Sequence, residues 1–209
     1  MPNRKYKGVT YPPLLWALGF TVLTTAAQLV SRATEGWQWQ RSEFMDGAWW
    51  QLITSQWVHF NASHAAMNVA AMALMLLALD RLVERPIQLA ALLGGYAGVA
   101  MALVSDTNCD YYAGASGALH GFWAGNALAL VVGQQPNDKG ARIQTRHLGL
   151  GMVLALALKL LIQHAPDGPP ALNGLGFTTY TPAHEAGSVA GLLTVAVLLA
   201  LRWCRSGPK

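Results

Sequence analysis

Six strongly apolar runs, at approximately 11–30, 63–82, 87–105, 114–134, 147–162 and 183–203, leave this chain of 209 residues few ways to fold. A helix that crosses a bilayer core of about 30 Å needs roughly 17–25 residues, and each run is close to that length. Apolar residues make up 53% of the chain and charged ones 11%, so six such runs joined by short links leave little polar surface for a water-soluble bundle. The expected fold is an all-α polytopic membrane protein with six transmembrane helices in a single domain, 1–209. The first run follows Arg4, Lys5 and Lys7, is about 20 residues long and lacks a small-x-small cleavage pattern. It is expected to stay as a span.

Basic residues concentrate in the cytoplasmic loops of membrane proteins, and this sets the orientation. Alternate loops divide the charges into eleven bases against Asp80, Glu84 and Asp138 on one side. The other side has only Arg32 and Arg41 against seven acids, so the two sides carry +8 and −5, and Lys159 within a span completes the net +4. Both termini are expected in the cytoplasm. The basic balance reflects topology; no basic surface interleaved with aromatics argues for nucleic acid. Cys109 and Cys204 fall on opposite sides of the membrane and cannot bridge each other.

The first outer loop, 31–62, is long for a protein of this size and carries Trp37, Trp39, Trp49, Trp50 and Trp57 among polar residues. Such a segment suits the lipid–water interface, where an indole buries its face and keeps its N–H wet. Within the spans, small residues form ridges that let helices approach closely: Gly117, Gly121 and Gly125 in the fourth, Ala183, Gly187 and Gly191 in the sixth. Ser116 and His184 each lie one residue, about 100°, from their ridge. They would flank a contact between these two helices at similar depth, because both spans are entered from outside. His64 and Asn68 open the second span from the same side, and their four-residue spacing places them on one face.

Polar groups in the membrane cost several kcal/mol when uncompensated, so their clustering at one end needs a chemical reason. Serine is a poor nucleophile without an adjacent base, and neutral histidine is suited to that task near pH 7. Attack on a peptide carbonyl creates an oxyanion, for which Asn68, His64 and the Ser116 N–H are candidate donors. No carboxylate is placed to orient His184; Glu185 is its neighbour but about 100° away on the helix. The group reads as a Ser–His dyad.

The spaced residues His64-x-x-x-Asn68, Gly114-Ala115-Ser116-Gly117 and Ala183-His184-x-x-Gly187-x-x-x-Gly191 resemble the rhomboid intramembrane serine proteases, in that family's order and over essentially the whole chain. The resemblance implies Ser116 as nucleophile and His184 as general base. It implies an oxyanion and substrate-binding region of His64, Asn68, Gly114, Ala115 and backbone amides, and helix packing through Gly117, Gly121, Gly187 and Gly191. It also implies no cofactor, single-span membrane protein substrates, and a cavity open to the outside. The run from Tyr112 to Gly121 looks most like the rhombosortase subgroup, bacterial rhomboids associated with exported proteins that carry a C-terminal Gly-Gly motif. That resemblance places the chain in the inner membrane, with its site facing the periplasm. General rhomboid cleavage of other substrates and an inactive rhomboid-like binding protein are the alternatives.

Two positions depart from the family pattern. Trp50-Gln51 stands where the family has Trp-Arg, which puts the loop-stabilising role of that arginine in doubt. His120 stands where many members have a tyrosine beneath the catalytic histidine; it either stacks under His184 or serves as a helix-packing imidazole. His184-Glu185 begins like the zinc motif H-E-x-x-H, but the fifth position is Ser188, so no metal is expected. His59 reads as an interfacial polar contact ahead of a metal ligand. Lys159, Gln163 and His164 read as a snorkelling polar path at the outer end of the fifth span.

Overall fold

A computed structural model of the chain describes residues 13–34, 36–133, 139–164 and 179–206. In chain order it contains helix α1 (Pro13–Thr34), strand β1 (Trp39–Gln40), short helices α2 (Arg41–Met45) and α3 (Gln51–Thr54), helices α4 (Ala62–Leu79) and α5 (Arg85–Ser105), strand β2 (Tyr111–Tyr112), and helices α6 (Ser116–Val132), α7 (Lys139–Gln163) and α8 (Thr181–Ser206). Each apolar run is thus the body of one long helix. Among the described residues four helices are long and apolar enough to cross a membrane, and α1 adds the shorter apolar stretch Leu15–Leu29. Large apolar side chains such as Leu18, Leu23, Leu154, Leu161 and Val197 are exposed on the periphery. Only lipid can cover such a surface, so this is a multi-pass membrane protein.

Helix ends depart from the apolar boundaries for local reasons. The fourth span was expected from residue 114, but Gly114 has φ +133°, outside helical space, and α6 begins at Ser116. α7 begins at Lys139, eight residues ahead of its apolar run, because its backbone stays hydrogen-bonded through the polar Lys139–Arg146 segment. In α4 the Asn61 side chain accepts from the His64 N–H at 2.8 Å and caps the helix start.

The core is a seam of α5, α6 and α8, with α6 at its centre and twelve of its seventeen residues buried. A Cβ added at Gly187 would collide with the Gly117 carbonyl, and one at Gly191 with the Gly121 carbonyl. The ridges expected in α6 and α8 therefore do face each other. A third small-residue face was not anticipated: a Cβ at Gly95 would lie 2.9 Å from the Ala118 Cα, and Gly98 packs on Ala186 and Ala190. Small residues let all three backbones approach closely, and dispersion contacts accumulate along the seam.

The segment between α1 and α4 corrects two expectations. Trp49 and Trp50 are exposed, as an interfacial position requires, but Trp39 is completely buried and its indole N–H donates to the Cys109 carbonyl at 2.9 Å. β1 pairs antiparallel with β2 in the register Trp39 to Tyr112 and Gln40 to Tyr111, which ties this loop to the strand that leads into α6. The position where the family arginine is missing is also well anchored. Gln51 is fully buried, accepts from the Gln40 N–H at 2.9 Å, and donates to Gly36 O at 3.1 Å and Glu43 Oε2 at 2.5 Å. A guanidinium comes from elsewhere: Arg41 donates to Leu103 O at 2.7 Å and to the Asp106 carbonyl. Both cysteines are free, Cys109 buried and Cys204 exposed.

Candidate active site

Ser116 is the first residue of α6, so its own N–H is among those that have no partner within the helix. The turn that delivers it is held on three sides. Gly114 N–H donates to Ser55 O at 2.9 Å, Tyr112 Oη donates to Gly114 O at 2.7 Å, and the Ala115 N–H makes a long contact of 3.5 Å with His59 Nε2. Gly114 is required twice over. Its φ of +133° disfavours any side chain, and a Cβ there would lie 2.5 Å from His64 Cε1.

His184 lies in the first turn of α8, and its Nε2 is 2.8 Å from Ser116 Oγ. Its other nitrogen, Nδ1, is 3.0 Å from Gln163 Oε1 near the end of α7. An amide oxygen only accepts, so Nδ1 carries the proton and Nε2 presents a lone pair to the serine hydroxyl. That is the tautomer a general base needs. Gln163, expected only to line a snorkelling path, is therefore the residue that reading the sequence missed as a partner of His184. Its one signal was a polar residue one turn from Lys159 on an otherwise apolar helix. Glu185 instead pairs with His164, and Trp123 Nε1 donates to Met152 O at 2.9 Å, fastening α7 to α6.

His120 stacks on His184 with ring centroids 4.0 Å apart and planes 11° from parallel. Its Nδ1 donates to Ser116 O at 2.7 Å, the acceptor-only carbonyl again fixing the tautomer. Of the two readings of His120, the stacked one describes its position. The flat ring buttresses one face of the imidazole and limits its rotation.

His64 and Asn68 share a face of α4, and both line one cavity of about 200 Å³ with Ser116, His120, Gln163 and His184. Asn68 is 5% exposed and its Nδ2 donors have no protein partner among the described residues. A buried unpaired amide is costly, so its donors are available to an oxygen that enters the cavity. Phe60 stacks on His64 at 6.1 Å and His59 meets it edge-on at 4.9 Å. His59 is thus no interfacial contact. It is completely buried, and burial, aided by repulsion from His64, pushes its imidazole down to about 3.

The approach to α8 is fastened by Tyr180, whose hydroxyl donates to Asp106 Oδ2 at 2.6 Å. This bond, with the Asn108 amide, holds the Asp106 carboxyl below the usual carboxylate range; burial, then Asp106, push the Tyr180 phenol up. No group of three or more metal-ligating side chains occurs among the described residues.

A serine hydroxyl, a correctly tautomeric imidazole and unpaired donors around one cavity are the parts that acyl transfer requires. No curated protein sequence matches the chain closely enough to be counted a relative. The family profile of the Rhomboid domain matches residues 46–201, well over half of the 209. That stretch contains His64, Asn68, Ser116 and His184 and every helix that builds the cavity, and the chain belongs to the rhomboid family.

Proposed function

We propose that the protein is an intramembrane serine endopeptidase that cleaves single-span membrane proteins near the outer end of the substrate helix. The observation that carries this reading is the 2.8 Å contact of Ser116 Oγ with His184 Nε2, with Nδ1 held at 3.0 Å by Gln163. The Oγ proton moves to Nε2 as Oγ bonds to the scissile carbonyl carbon. The Ser116 N–H, the Asn68 amide and His64 stabilise the oxyanion. The imidazolium then gives its proton to the departing amine nitrogen, leaving an ester on Ser116. His184 next takes a proton from water, whose oxygen attacks the ester carbonyl; as the tetrahedral adduct collapses the imidazolium returns that proton to the departing Ser116 Oγ, and the carboxylic acid released ionises in water. Gln163 acts through His184 as a positioning residue. No cofactor takes part.

The run from Tyr112 to Gly121 supports the finer reading of a rhombosortase that removes C-terminal Gly-Gly tail anchors from exported proteins. The charge asymmetry supports six crossings of the inner membrane, one domain, cytoplasmic termini and a site open to the periplasm. A neutral fluorophosphonate should label the wild type and neither Ser116→Ala nor His184→Ala. Folded wild type that never labels overturns the protease reading in favour of a binding protein. Co-expression with a Gly-Gly-tailed protein should show Ser116-dependent loss of the tail; cleavage confined to unrelated membrane helices indicates a general rhomboid.

A further inference from the structure

Lys159 is the one charged side chain that lines the cavity among the described residues. It lies in α7 four residues, roughly 6 Å, before Gln163, so the two share a helix face. A cation within a membrane-length helix ordinarily finds an acid or a cluster of acceptors. Among the described residues Asp80 meets Arg85, Glu84 meets Arg202 and Glu185 meets His164, and no acid is paired with Lys159. No carboxylate lines the cavity among the described residues: its other polar groups include the imidazoles of His64, His120 and His184, and the uncharged Ser116, Asn68 and Gln163.

This charge bears on the reaction. Lys159 lines the same cavity as the His120 and His184 imidazoles. When His184 accepts the Ser116 proton, a second positive charge forms at the same cavity, and Lys159 opposes it. An anion beside Lys159 would remove that opposition while forming an ion pair of its own. The cavity is about 200 Å³ and holds Ser116 and Lys159 together, so a ligand that fills it meets both.

We propose that Lys159 is a specificity-determining residue that binds a carboxylate carried by the substrate close to its scissile bond. Occupancy of this subsite frees His184 to act, so an anionic substrate is both held and helped to react. The inference rests on the protease reading, and names a substrate class for that site.

The test uses the full-length protein in vesicles of phosphatidylcholine, with single-span peptides that differ only by Asp, Asn or Lys at each position flanking the cleaved bond. At one position the wild type should cleave the Asp peptide on the order of tenfold faster than the Asn peptide, and the Lys peptide slowest. Lys159→Met should erase this ranking, slowing the Asp peptide and speeding the Asn peptide. Lys159→Glu should invert it in favour of Lys. Equal kcat/KM for the three wild-type substrates at every position overturns the proposal, and this arm needs no variant to fold. A ranking that survives in Lys159→Met overturns it as well. So does a Lys159 effect that follows added phosphatidylglycerol and ignores peptide charge, because the cation then serves lipid. Wild type unreactive to fluorophosphonate removes the protease reading beneath the inference; labelled wild type with a flat charge preference removes the inference alone.

Discussion

Replacing Gln163 by leucine isolates the orientation of the base from the chemistry of the nucleophile. The amide oxygen lies 3.0 Å from His184 Nδ1, and His184 is only 5% exposed, so water has little access to replace the lost acceptor. A buried N–H left without a partner costs about 1–3 kcal/mol. The imidazole can escape part of that penalty by turning or by moving its proton to Nε2, and either change withdraws the lone pair that faces Ser116 Oγ. At about 1.4 kcal/mol per decade of rate, kcat should fall roughly 10- to 100-fold, with KM close to unchanged because Gln163 acts through His184. Gln163→Glu keeps an acceptor on the same proton and should recover most of the rate. Turnover of a reconstituted substrate, with thermal denaturation as a control for folding, measures both. Wild-type kcat in Gln163→Leu, or a Gln163→Glu as slow as the leucine variant, would refute the tautomer argument.

Gly114→Ala should abolish fluorophosphonate labelling while leaving the six long helices by circular dichroism, since its Cβ would lie 2.5 Å from His64 Cε1 and strain a φ of +133°; labelling at the wild-type rate would contradict this. Gly187→Ala puts a methyl into the Gly117 carbonyl and should lower stability by about 1–3 kcal/mol or more in a denaturation series in mild detergent, whereas Gly151→Ala, with open space at its Cβ, should not. His59 is neutral in the fold and its imidazole is pushed down to about 3. The unfolded chain, with an ordinary value of about 6.5, binds the extra proton first. Its contribution is therefore full above pH about 6.5 and is lost as pH falls towards 3, and His59→Phe should flatten that part of the acid limb of a melting-temperature profile.

The residues that compose the site were legible because helical spacing is a property of the local chain. Four residues between His64 and Asn68 give a shared face wherever the helix goes, and the three motifs named the family before any contact was known. The apolar runs located the long helices to within a few residues, except where polar flanks such as Lys139–Arg146 stay helical. The Trp39 indole was misplaced because its burial depends on pairing with Tyr112, which lies 73 residues away across α4 and α5. The same holds for Gln51, whose substitution for arginine looked like a loss until its bonds to Gln40, Gly36 and Glu43 were in view.

By itself, then, the sequence determined membrane residence, the positions of the long apolar helices and the chemical types available at one end of the bundle, because those follow from length, hydropathy and periodicity. The tertiary structure decided which nitrogen of His184 carries the proton, since that depends on Gln163 arriving from another helix 21 residues back. It also decided that His120 stacks under His184, and that Lys159 lines the cavity of Ser116 and His184 with no acid paired with it among the described residues. Rotation of one packed helix by a single residue, about 100°, would undo each of these contacts while preserving every motif. The close glycine contacts of α5, α6 and α8 fix His120 and His184, while Gly149 packed on α6 and the Trp123–Met152 bond seat α7.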